Sequence, residues 1–126
     1  MDTLNNIIVM TRGDTYEFNL NMTDDSGEYM LQGEDVLYFG IMDPGQPFER
    51  ALVRKRFTVE DLDALGTLNI VLNPEDTLDL LPGKYFYSVK LHMDHEELDY
   101  NTLLPTGVHV DKVITIIGKT KFIICD

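Results

Sequence analysis

The sequence has no tryptophan, a single cysteine and few cations, and each scarcity removes a class of function. With Cys125 alone, an internal disulfide is excluded, which fits folding in a reducing compartment rather than a small secreted domain stapled by bridges. No stretch approaches the ~18 consecutive apolar residues of a membrane span. The opening residues, MDTLNNIIVM, lack a basic region followed by a long apolar block and a small-residue cleavage site, so no secretory signal is expected and a cytoplasmic origin is favoured. Ten Lys and Arg stand against 22 Asp and Glu, a net charge of -12. Repulsion from phosphates then argues against nucleic acid and anionic membranes as partners. The local exception, Arg50 with Arg54, Lys55 and Arg56, comes without a glycine-rich loop or an aromatic platform. It reads as a solvated strand face that offsets acidic neighbours.

What is present is alternation with period two. In TYEFNLNM, Tyr16, Phe18, Leu20 and Met22 point one way and the polar residues between them the other, the pattern of a half-buried strand. GTLNIVLN repeats it with Leu68, Ile70 and Leu72. KYFYSVKLHM does so with Tyr85, Tyr87, Val89, Leu91 and Met93. DVLYFGIM is apolar on both faces and reads as a central strand in which Gly40 marks a bulge or a close backbone approach. Further strands are expected at 5–10, about 50–57, about 107–117 and 119–125, with turns at 24–28, 43–47, 73–76, 81–83 and 94–106. Only 58–65 and 74–81 look helical, each for about two turns, because Thr58 with Asp61 and Asn73 before Pro74 resemble helix starts. The expected architecture is all-β: a single domain over 1–126, an antiparallel immunoglobulin-like β-sandwich of about seven to eight strands with one or two short helical turns.

Candidate chemistry is sparse. Cys125 lies on the apolar strand KFIIC and reads as a small core residue rather than a nucleophile paired with histidine. HMDHEELD offers His92, Asp94, His95, Glu96, Glu97 and Asp99. It lacks the spaced oxygen ligands and turn glycine of a calcium loop, and His-x-x-His alone is a weak zinc signal, so a solvated acidic hairpin tip is expected, with no metal. No phosphate-binding glycine pattern and no nucleophile elbow is present, so neither an enzyme nor a cofactor is indicated. Arg12-Gly13-Asp14, a tripeptide that integrins can read in extracellular proteins, falls between two strands and reads as a turn.

The most informative stretch is NPEDTLDLLPGKYFYSVKL. A helical turn ends at Pro82-Gly83 and releases into a strand carrying Tyr85 and Tyr87. Glycine supplies the backbone angles of a sharp corner, and a tyrosine there buries its ring while returning its hydroxyl to the backbone. Together with TRGDTYEFNLNM, DVLYFGIM and VHVDKVITIIGKTKFII, this stretch resembles the immunoglobulin-like N-terminal domain of tail and baseplate proteins, the baseplate upper protein above all, in phages and prophages of Gram-positive hosts. Thr77, Leu80, Gly83, Tyr85 and Tyr87 match that group's Thr-x-x-Leu-x-x-Gly-x-Tyr-x-Tyr at closely similar spacing. The likeness spans nearly the whole chain. It implies a non-enzymatic structural or assembly module, made in the bacterial cytoplasm and then carried in the virion tail, whose partners are other tail proteins or copies of itself. The chain departs from the group in lacking a coiled stalk or receptor-binding segment and in its acidity, as a free-standing accessory protein or prophage remnant would.

Such a module is expected to assemble through exposed strand edges near 5–10 and 119–125. Because copies at -12 repel each other, association should strengthen as salt screens the charge. The competing expectation is a carbohydrate- or ligand-binding β-sandwich, with the loop DYNTLLPTG and the region of Tyr38 and Phe39 framing a pocket.

Overall fold

The computed structural model describes residues 7–24, 27–99 and 101–126. The chain is mostly β. In order come β1 (Ile8–Thr11), β2 (Tyr16–Leu20), β3 (Met22–Asp24), β4 (Gly27–Tyr29), β5 (Val36–Met42), β6 (Val53–Phe57), β7 (Leu68–Leu72), helix α1 (Pro74–Leu78), β8 (Gly83–Leu98) and β9 (Pro105–Cys125). A five-stranded sheet has the order β1-β9-β8-β5-β6; β2 pairs with β7, and β3 with β4.

Alternation places the core. Leu68, Ile70 and Leu72 of β7 and Tyr85, Tyr87, Val89, Leu91 and Met93 of β8 are all buried, as period two requires of strands covered on one face. An aromatic chain links the small sheet to the large one. Phe18 lies 6.2 Å from Phe39, Phe39 lies 5.7 Å from Tyr87, and Tyr87 meets Phe122 edge-on at 6.2 Å. Phe39, Tyr87 and Phe122 are buried, and each such side chain contributes about 1.5–3 kcal/mol by leaving water. Gly40 is explained by close approach: a Cβ there would sit 2.9 Å from the Phe48 ring.

Both helical starts form their reciprocal caps. Asp61 accepts from the Thr58 N–H at 2.8 Å and Asp76 from the Asn73 N–H at 2.7 Å. The helices are shorter than expected: a 3-10 turn at Val59–Asp61 and five residues of α1.

Four expectations are corrected. The large sheet is mixed rather than antiparallel, because β1 runs parallel to β9, with Ile8 opposite Phe122 and Thr11 opposite Cys125. An Arg12–Asp126 contact of 3.1 Å closes that pairing. Period two reports which face a residue takes, not the direction of its neighbour. In consequence Phe122 to Cys125 is not an edge, since this end of β9 lies between β1 and β8; the outer strands of the sheet are β1 and the cation-bearing β6. Residues 107–117 and 119–125 are one strand, and most of 94–106 is strand rather than turn. Cys125, finally, is exposed rather than a core residue. Of the expected strand at 5–10, residues 5 and 6 lie outside the described residues.

Candidate functional site

The corner residues come together where α1 hands over to β8. Thr77 is buried and its hydroxyl accepts from the Gly13 N–H at 3.0 Å. This bond pins the Arg12-Gly13-Asp14 turn, itself closed by Asp14 N–H to the Thr11 carbonyl at 3.1 Å. Leu80 is partly buried against the core, and its N–H meets the Thr77 carbonyl at 3.0 Å. Gly83 opens β8 at φ 151°, a backbone angle that side chains disfavour. The Tyr85 ring is buried and its hydroxyl donates to the Leu81 carbonyl at 2.6 Å. Tyr87 is inside the core, where burial first, and repulsion from Tyr16 second, push its hydroxyl from 10.0 up to about 12.

A second cluster had no sequence signal. Asp35 is fully buried. Its carboxylate accepts from the Tyr29 hydroxyl, the Gln32 N–H at 3.1 Å, the Asp94 N–H at 2.7 Å and His95 Nδ1 at 2.8 Å. Four donors use the acceptor capacity of a carboxylate. The cluster therefore ties the loop before β5 to β8 and leaves no lone pair for a substrate. Asp35 and His95 are 60 residues apart in sequence, so only the pairing of β5 with β8 reveals them as partners. This places His95 inside the fold, where a solvated acidic tip was expected. His92 does lie on the outer face, 2.7 Å from Asp111, and His109 lies 2.5 Å from Asp94. Among the described residues, no group of three or more His, Cys, Asp or Glu side chains converges as metal ligands would.

Two surface features remain. On the outer face of the large sheet, Tyr38, Phe39, Phe48, Glu49, Arg54, Lys55 and Arg56 line a cavity of about 450 Å³. Pairing explains the grouping: Tyr38 stands opposite Arg56 on β6 and Lys90 on β8, and the Lys90 ammonium lies 5.2 Å from the centroid of the Phe48 ring. Arg54 donates to the Glu49 carbonyl, whereas Lys55 is drawn to Asp76 at 2.7 Å. Among the described residues, none of the loop DYNTLLPTG lines this cavity; Phe48, Glu49 and the β6 cations complete it beside Tyr38 and Phe39.

That loop lies at the far end of an arm. β5 pairs with β8 only as far as His92, and β1 reaches β9 only from Phe122. Beyond Asp94, the ends of β8 and β9 therefore pair only with each other. Glu96, Glu97, Leu98 and residues 105–109 are exposed, so this ribbon has no covered face.

No protein-family model, curated protein or solved structure matches the chain.

Proposed function

We propose that the chain is an immunoglobulin-like β-sandwich serving as a non-enzymatic assembly module of a phage or prophage tail or baseplate, made in the bacterial cytoplasm and carried in the virion. The tyrosine corner supports the fold. A hydroxyl returned to the backbone four residues upstream, from Tyr85 to Leu81, is a hallmark of immunoglobulin-like sandwiches. The observation that carries the function is the bare ribbon. Isolated two-stranded ribbons are marginal in water, and one that projects from a well-packed core with leucines exposed is built to be covered by another protein. No helix among the described residues is long and apolar enough to cross a membrane.

The experiment is mass spectrometry of particles purified after prophage induction in the encoding strain. Peptides of this chain are expected at structural stoichiometry. Their absence from intact particles, with the protein present in the lysate, contradicts the reading. The cavity beside Tyr38 supports a second reading, a carbohydrate- or ligand-binding sandwich. That reading gains if the chain stays out of particles and retards on immobilised polysaccharide.

A further inference from the structure

The end of the ribbon is both apolar and acidic. Leu98, Leu103 and Leu104 are 46%, 70% and 63% exposed. From 96 to 109 the sequence has Glu96, Glu97 and Asp99 and neither Lys nor Arg. The tip is also held in a costly shape. Leu103 has φ 57°, unique for a non-glycine residue among those described, and a bulky side chain there is a steric outlier. The turn is kept by Asp99, whose carboxylate accepts from the Asn101 and Thr102 N–H groups at 2.8 and 3.1 Å, and by the Leu103 N–H on the Asp99 carbonyl at 2.9 Å. Strained backbone that the surroundings enforce points to a task for the residue it presents.

The outer-face cavity has the opposite character. Tyr38 and Phe48 line it with Arg54, Lys55, Arg56 and a single anion, Glu49, and the Lys90 ammonium lies over the Phe48 ring. Arg56 has no ion-pair partner among the described residues. In a chain of net charge -12, a cationic, aromatic hollow is a local reversal, and the complementary surface, leucines among carboxylates, is on the same chain.

We propose that the ribbon tip of one copy docks into the Tyr38–Phe48 cavity of a second copy: Leu103 and Leu104 meet the rings, while Glu96, Glu97 and Asp99 face Arg54 and Arg56. The two surfaces differ, so the contact is head-to-tail and propagates into a ring or filament, as a repeated tail component requires. This inference rests on the assembly reading and names its contact.

The test is sedimentation velocity at about 0.15 M salt, where the repulsion between copies is screened beyond ~8 Å. Arg54→Glu with Arg56→Glu spoils the cavity, and Leu103→Asp with Leu104→Asp spoils the tip. All four residues are exposed or half-buried, so urea midpoints matching the parent are expected. Should one pair fail to fold, Arg56→Glu or Leu103→Asp alone replaces it. The parent is expected to associate at tens of micromolar, each variant to weaken this at least about tenfold, and an equal mixture of the two to recover a dimer that grows no further, because one intact tip meets one intact cavity. A monomeric parent, a mixture that stays monomeric, or a variant that associates like the parent overturns the inference. Binding of a small anionic ligand in the cavity of a monomeric parent counts against it equally. A monomeric chain found in particles sinks the docking and spares the tail reading; an associating chain absent from particles does the reverse.

Discussion

Tyr87 shows how far one buried hydroxyl governs behaviour in alkali. Its folded-state value of about 12, against 10.0 when free, means that the unfolded chain gives up this proton first. The stability it contributes is fully present below pH 10 and is lost as the pH rises towards 12, about 3 kcal/mol in all. Urea unfolding between pH 9 and 12 should show that decline, and Tyr87→Phe should flatten it; an equal decline in the variant would assign it elsewhere. At Gly83 the cost of a side chain is backbone strain alone, since a Cβ would meet nothing within 4 Å. Gly83→Val and Gly83→Ala should therefore both lose about 1–3 kcal/mol, and a loss below ~0.5 kcal/mol for either removes the conformational argument. Asp35→Ala removes the buried carboxylate on which these four donors converge. We expect a loss of about 3–5 kcal/mol, measured by urea denaturation; a near-neutral result would mean that water takes the place of the carboxylate.

Among the elements, β2, β7, the first half of β8 and the corner were legible because each signal is local: alternation over a few residues, two capping boxes, and a glycine two residues before a tyrosine. The parallel partnership of β1 with β9 was not, because strands distant in sequence meet through the fold and alternation carries no direction. The ribbon was hidden for a related reason. Its residues alternate poorly since neither face is buried, so HMDHEELD and the loop after it resembled a turn, although backbone pairing continues from Asp94 opposite Asp111 to Leu98 opposite Pro105. Asp35, the second of two adjacent acids in GEDV, gave no hint of burial. The cations of β6 read as a solvated strand face, and Arg54 and Arg56 are exposed, yet their juxtaposition with Phe48 required the chain to fold back over Gly40. The ribbon's turn has its own titration. Backbone N–H groups of Asn101, then Thr102, hold the Asp99 carboxyl below the ordinary aspartate value. The turn is thus fully formed above that ordinary value and loosens as pH falls through the lowered one. Protection of the Asn101 and Thr102 amides, relative to their intrinsic exchange at each pH, should persist below the ordinary aspartate value; protection lost at that ordinary value would contradict the geometry.

For the whole molecule, a packed β core carries an acidic arm and, on another face, an aromatic hollow lined by three cations and one anion. Stability and association should therefore be separable, with the core supplying the first and the arm the second. Salt should act in two stages. Raising it from about 0.01 to 0.15 M shortens the reach of repulsion from ~30 to ~8 Å and favours association, while molar salt weakens the opposite charges at the contact. The most direct measurement replaces residues 97–108 with Asn-Gly, so that Glu96 and His109, already paired, are joined by a two-residue hairpin turn. Urea unfolding and sedimentation of this shortened chain are then compared with the parent. We predict stability within about 0.5 kcal/mol of the parent and complete loss of self-association. A shortened chain that unfolds, or one that still associates like the parent, would contradict the claim that the arm exists to join molecules rather than to hold one together.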